Sequence, residues 1–257
     1  MAKPKVLVMG GCGINCETET MFAFDRAGAE SQYVHVNDLV NGDVNLDEFQ
    51  IWAFPGGFSF GDHTGSGKAL ANKLKNNLAE KIQAFVQRDT LAIGICNGFQ
   101  VMTQLGLVPA LGGKYGEPQA GLMRNESTQY QCEWVDIKTV SKKCVWSQGI
   151  EKMPIPIAHG EGNFYINDEG LAELKANDQI VFSYDGYNPN GSVADIAGIC
   201  DPSGRILGMM PHPERFLFAA NHPQWTKHAE TARRNGEEFN PMGLGQKIFD
   251  NGVAYFL

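Results

Sequence analysis

The chain has no apolar run long enough for a bilayer span or a signal-peptide core. Its N-terminal run, Val6–Met9, is four residues, where a spanning helix takes about 20. The expectation is a cytoplasmic protein with no membrane partner. Basic residues are scarce: 21 Lys and Arg stand against 29 Asp and Glu, a formal net charge of −8. That argues against nucleic acid or an anionic membrane surface as the main partner, because both reward a basic patch. No Cys-x-x-Cys pair occurs. Cys12, Cys16, Cys96, Cys132, Cys144 and Cys200 are dispersed, which points to a reducing compartment and not to a disulfide framework. Cys12 and Cys16 lack a second pair, so they are read as packing residues and no metal site is expected. The turn Gly10-Gly11-Cys12-Gly13 has Cys16 where a dinucleotide fingerprint needs its third glycine, which excludes that fingerprint. Asn190-Gly191-Ser192 matches a glycosylation acceptor, but in a cytoplasmic chain it reads as a turn.

Strands and helices alternate over the first hundred residues. Lys5–Met9 reads as a buried strand, Glu17–Ala27 as a helix stopped at Gly28, Ser31–Val36 as a strand, and Phe49–Phe54 as a strand ending at Pro55-Gly56-Gly57. Ala69–Arg88 reads as a long amphipathic helix with Lys73, Lys75 and Lys81 off its apolar stripe. Leu91–Ile95 reads as a buried strand and Asn97–Leu105 as a helix. This alternation predicts an α/β fold with an open, mostly parallel, flavodoxin-like sheet and helices on both faces. A β-rich extension follows, over Gln129–Val140, Ile155–His159, Gly162–Ile166, Ile180–Ser183, Val193–Cys200 and Arg205–Met210. The whole of 1–257 is expected to be one domain. Residues 216–257 form a C-terminal extension, polar through Asn240 and ending in a helix over Met242–Tyr255.

Ligands of open parallel sheets sit at the carboxyl ends of the strands. Cys96 stands one residue past a predicted strand and at the start of a helix, the position of a nucleophile elbow. A free thiol has a pKa of about 8.5, and a helix N-terminus favours the thiolate. His212 is the candidate base and Glu214 its orienting acid. Pro211 and Pro213 bias this stretch towards extended backbone, where residues i and i+2 share a face. Cys96, His212 and Glu214 would then form a Cys-His-acid set. Oxyanion donors would come from the backbone N–H of Asn97 and from the Pro55-Gly56-Gly57-Phe58 turn, where glycine permits close approach. His159 beside Glu161 is read as a positioning residue, His222 and His228 as exposed tail residues, and Arg215 as paired with a surface acid.

Gly94-Ile95-Cys96-Asn97-Gly98 with Pro211-His212-Pro213-Glu214 resembles the class I (triad) glutamine amidotransferases. Further motifs run in order: Gly13-Ile14-Asn15-Cys16-Glu17, Gly56-Gly57-Phe58-Ser59-Phe60-Gly61-Asp62, His159-Gly160-Glu161-Gly162 and Asn188-Pro189-Asn190-Gly191-Ser192. They are similar to the phosphoribosylformylglycinamidine synthase branch of that family, in purine biosynthesis. The resemblance implies that Cys96 attacks the side-chain amide of glutamine, His212 moves the protons and Glu214 orients His212. It also implies that Gly57 and Asn97 hold the oxyanion and that Gln100, Gly160 and Glu161 bind the amino-acid end of glutamine. No cofactor is implied on this chain. ATP and Mg would sit on a large synthase partner, with a small accessory subunit as a further partner. His63 and Thr64 depart from the larger apolar residues usual after Asp62. Without the resemblance, the same constellation would serve a free-standing thiol hydrolase or, with a dead site, a scaffold.

Overall fold

A computed structural model describes residues 3–61 and 65–257. Asp62, His63 and Thr64 fall outside the described residues. The first half alternates as follows: β1 (Lys5–Gly10), α1 (Glu17–Arg26), β2 (Glu30–His35), α2 (Val36–Asn41), β3 (Ile51–Phe54), α3 (Lys68–Gln87), β4 (Leu91–Ile95) and α4 (Asn97–Leu105). After it come β5 (Gly121–Met123), β6 (Gln131–Thr139), β7 (Lys152–His159), β8 (Asn163–Tyr165), α5 (Asp168–Ala176), β9 (Ile180–Tyr184), β10 (Ile196–Cys200), β11 (Ile206–Met209), α6 (Trp225–Asn235) and α7 (Gln246–Ala254).

One nine-stranded sheet runs β2-β1-β3-β4-β11-β10-β9-β6-β7. Every pair from β2 to β11 is parallel. Every pair from β11 to β7 is antiparallel. The residue patterns account for the split. β3 and β4 are buried at every position, the unbroken apolar run of a strand covered on both faces. β7 alternates buried residues with half-buried or exposed ones, and its Pro154 and Pro156 suit the sheet edge where it lies. The chain steps from β1 outward to β2, then back past β1 to β3 and β4. Right-handed crossovers therefore put α1 on one face and α2 and α3 on the other. In agreement, α1 packs on α7, while α3 packs on α2 and α4. The open sheet with a parallel core and a β-rich extension is the fold class read from sequence.

Three local readings need correction. Gly162–Ile166 supplies β8, but β8 leaves the main sheet and pairs with β5 in a separate two-stranded one. The strand expected from Val193 starts at Ile196, after a 3-10 turn over Val193–Asp195. The tail helix begins at Gln246 and not Met242, because Gly243 and Gly245 donate to the carbonyls of Leu217 and Phe216. The tail folds back onto α1. Phe249 meets Phe24 edge-on at 5.0 Å, and the Gln246 side chain donates to the Ala23 carbonyl at 3.1 Å.

Candidate active site

Cys96 sits at the junction of β4 and α4 with φ 51° and ψ −107°. A positive φ on a residue with a Cβ is strained, and such strain persists only where the surroundings impose it. Here two glycines let the turn close. A Cβ on Gly98 would lie 1.8 Å from the Phe54 carbonyl oxygen, and one on Gly94 would lie 2.7 Å from the Gly98 carbonyl oxygen. The Cys96 N–H donates to the Met209 carbonyl at 2.8 Å. That bond ties the elbow to β11, whose Met209 lies in register with Ile95. The adjacent carboxyl ends of β4 and β11 therefore deliver Cys96 and His212 to one place, although the two are 116 positions apart in the chain.

His212 and Glu214 are buried, each 2% exposed. The His212 Nδ1 lies 2.6 Å from Glu214 Oε1. The pairing is as expected, but its geometry is not. Pro213–Arg215 forms a 3-10 turn, so the two side chains meet across a turn and not along an extended strand. Proline fixes only φ, and its value suits the first position of a helical turn as well as a strand. The backbone N–H of His212 donates to the Pro156 carbonyl of β7 at 2.9 Å, which fixes the main chain that carries the imidazole. Burial alone would lower the His212 pKa. The Glu214 carboxylate overrides it, with Cys96 and Cys16 adding to the effect, and the result stands well above 6.5. His212 Nε2 closes no hydrogen bond of acceptable geometry. The Cys96 thiol is nevertheless near enough to interact with the ring, and both residues line one narrow cavity with Gly57, Phe58, Tyr130 and Ala158.

Gly57 has φ 145° and forms an isolated bridge with Ile14. The bonds around that bridge come from its neighbours, Phe58 N–H to Gly13 O at 2.6 Å and Asn15 N–H to Gly56 O at 3.2 Å. Neither bond uses the N–H of Gly57, a residue that lines the cavity. A Cβ there would come within 2.5 Å of the Gly13 carbonyl oxygen. Asn97 opens α4, and a first-turn N–H has no helical acceptor. Its side chain accepts from the Ser59 N–H at 3.2 Å and donates to Gln100 Oε1 at 2.9 Å. Gln100 in turn donates to the Glu161 carbonyl at 2.7 Å, and Glu161 Oε2 accepts from the Ser66 N–H at 3.2 Å. Gly160 accepts from the Asn125 N–H at 3.0 Å. The Gln100 carboxamide is thus already holding two loops together.

His159 belongs to this scaffold. Its Nδ1 lies 3.2 Å from Asn125 Oδ1, and its Nε2 lies 3.5 Å from Asn190 Nδ2. The Asn188–Ser192 turn therefore packs under the His159–Gly162 turn. Burial, with His212 adding to it, lowers the His159 pKa to about 4. The unfolded chain takes up a proton near pH 6.5 and the folded chain does not. The stabilisation from this site is therefore present above 6.5 and is lost as pH falls towards 4. At 1.36 kcal/mol per pKa unit it is worth roughly 3 kcal/mol. Urea unfolding of His159→Gln should show that much less loss of stability between pH 7 and pH 4 than the parent. An identical pH dependence would remove His159 from this role.

Sequence reasoning missed the neighbours of the imidazole. Cys16 was read as packing and is indeed buried, but it also lies close enough to interact with the His212 ring. Cys12 is exposed, so packing does not describe it. Arg215 does approach an acid, Glu19, at 3.8 Å, but it also donates to Cys16 Sγ at 3.1 Å. His222 is half-buried, edge-on to Trp134 at 4.7 Å, and only His228 is exposed as expected. The Gly13–Glu17 motif carried a signal for Cys16, because a tight glycine turn brings the next residues under the sheet's carboxyl edge.

Residues 3–256 match the CobB/CobQ-like glutamine amidotransferase domain family. A phosphoribosylformylglycinamidine synthase subunit PurQ from Methanococcus maripaludis strain C7 is 50% identical, over 98% of this chain and 97% of the relative. The protein of that name from Dehalococcoides mccartyi is 40% identical, over 99% and 98%. In three dimensions the chain is similar to a chain of PurLQS from Thermotoga maritima, with TM-score 0.75, 28% identity and coverage of 99% and 100%. Catalytic-type cysteine elbow, buried His-Glu pair, fold and sequence converge on one statement: this chain belongs to the CobB/CobQ-like glutamine amidotransferase family.

Proposed function

We propose that the chain is the glutaminase component of a phosphoribosylformylglycinamidine synthase, with Cys96 as nucleophile. The observation that carries the chemistry is the placement of Cys96 at a strained elbow, sharing a cavity with a histidine already bonded to a buried carboxylate. The carbonyl carbon of the glutamine side-chain amide is attacked by Cys96 Sγ. The oxygen that becomes negative is held by the N–H groups of Gly57 and Asn97, each such donor being worth about 3–4 kcal/mol. His212, oriented by Glu214, takes the thiol's proton and gives it to the leaving nitrogen, and ammonia departs. The γ-glutamyl thioester is then cleaved by a water that His212 deprotonates. Glutamate leaves and the thiol is restored. Gln100, Gly160 and Glu161 shape the subsite for the amino-acid end of the substrate.

Ammonia generated here is consumed by a synthase partner that holds ATP and Mg and converts a formylglycinamide ribonucleotide to its amidine. A small accessory subunit completes the complex. Residues 1–257 work as a single amidotransferase domain, residues 216–257 included. Among the described residues, no helix is long and apolar enough to cross a membrane; a cytoplasmic setting fits a partner that draws on soluble nucleotides. Reconstitution tests the reading. Mixed with the synthase subunit and ATP, the chain should support glutamine-dependent amidine formation. A complex that makes amidine from ammonia but never from glutamine would reject it.

A further inference from the structure

The sulfur of Cys16, a ring nitrogen of His212 and a carboxylate oxygen of Glu214 all lie within 4.8 Å of one another, and all three residues are buried. Glycine makes this crowding possible. A Cβ on Gly56 would fall 3.1 Å from Cys16 Sγ and 2.8 Å from His212 Cε1. One buried atom of the group, Glu214 Oε2, closes no hydrogen bond, on a residue 2% exposed. An unpartnered buried carboxylate oxygen beside a thiol is unusual, because leaving its hydrogen bond unmade costs about 1–3 kcal/mol. The donor set is one thiol, one imidazole and one carboxylate. That is the mixture a borderline-soft divalent cation accepts, with bonds of about 2.0–2.3 Å. Cys16 and His212 also line the cavity of Cys96, which supplies an entry and a fourth position. Arg215 already donates to Cys16 Sγ at 3.1 Å, the outer bond that a metal-bound thiolate receives.

We propose that Cys16, His212 and Glu214 form an inhibitory site for a borderline-soft divalent cation, with zinc the best fit. The cation is no cofactor of the reaction. On binding it displaces the Cys16 proton and occupies a nitrogen of His212, so the imidazole can no longer carry protons for Cys96. The thiol of Cys16, absent from the catalytic cycle, is what turns a His-Glu pair into a three-donor chelate.

The test uses the full chain with Cys96→Ala, which removes the nucleophile as a ligand, and with Cys12→Ser and Cys132→Ser, which remove the exposed thiols. Titration with Co²⁺ should give a thiolate-to-metal absorption that saturates at one equivalent and is displaced by Zn²⁺. Adding Cys16→Ser should abolish that absorption or weaken Co²⁺ binding at least about tenfold, since even outer-shell losses cost about 10–100-fold; Cys16→Ala should do the same. No absorption before Cys16 is changed, or an unchanged titration after, overturns the proposal. In the reconstituted complex, Cys16→Ser should raise the zinc concentration for half-inhibition of glutamine use at least about tenfold, and an unchanged value counts against it. The cobalt titration needs no turnover, so its outcome stands whether or not the glutaminase reading survives.

Discussion

Replacing Cys96 with alanine should cut glutamine-dependent amidine synthesis by the reconstituted complex about ten-thousand-fold or more, the scale seen when a covalent nucleophile is removed. Ammonia-dependent synthesis should persist at near the parent rate. The separation follows from where the parts lie. Under the proposed function, Cys96 serves only to release ammonia, and the ATP-dependent step belongs to the partner. Alanine also fits the elbow without a clash, since it differs from cysteine only by the sulfur. The strained φ of 51° is imposed by the β4–α4 junction and the Cys96 N–H bond to Met209, not by the thiol. Both activities are measured in one assay by swapping the nitrogen source. Equal loss of both, in a complex that still assembles, would mean that Cys96 supports structure and not chemistry.

Glu214→Gln should lower glutamine-dependent turnover by about 10³–10⁴-fold, the scale of losing the acid in such a triad, and should also move the pH profile. Two opposing effects act on His212: burial lowers its pKa and the Glu214 carboxylate raises it, and the carboxylate wins. A neutral carboxamide leaves burial in control. The pKa then falls, and the protonated imidazole needed by the leaving nitrogen survives only at lower pH. The alkaline limb of the kcat profile should therefore shift to lower pH. The same reasoning gives a stability signature of opposite sign to that of His159. Folded His212 holds its proton above pH 6.5, so its contribution is full below 6.5 and fades as pH rises through the raised value. A Glu214→Gln profile that keeps the parent's alkaline limb would show that the 2.6 Å contact with Nδ1 does not set the protonation of the imidazole.

How much of this was legible beforehand differs by element. β4 and α4 were read at their observed bounds, because an apolar run broken by glycines at 94 and 98 fixes both the strand and the elbow. The Cys96–His212 meeting followed from placing two strand ends at one edge of the sheet. α6 escaped notice because it is strongly polar and buries no residue, so it lacks the apolar face by which a core-packed helix is recognised. α5 was missed for a local reason. It is started by the Asn167 side chain accepting from the Gly170 N–H at 2.9 Å, and a glycine in the first turn reads as a break. The short β5 needed its partner β8, forty residues on, to exist at all. At the site, motif order located Cys16 but could not show it beside His212, since that contact depends on how closely Gly56 lets the two turns approach.

The most direct measurement is where a diazoketone analogue of glutamine attaches. Such a reagent forms a stable thioether with the thiol that would attack the amide. Digestion and mass spectrometry should find one label per chain, on Cys96, with labelling much slowed in His212→Ala. Label on Cys12, Cys16 or Cys132 with Cys96 left free would contradict the account.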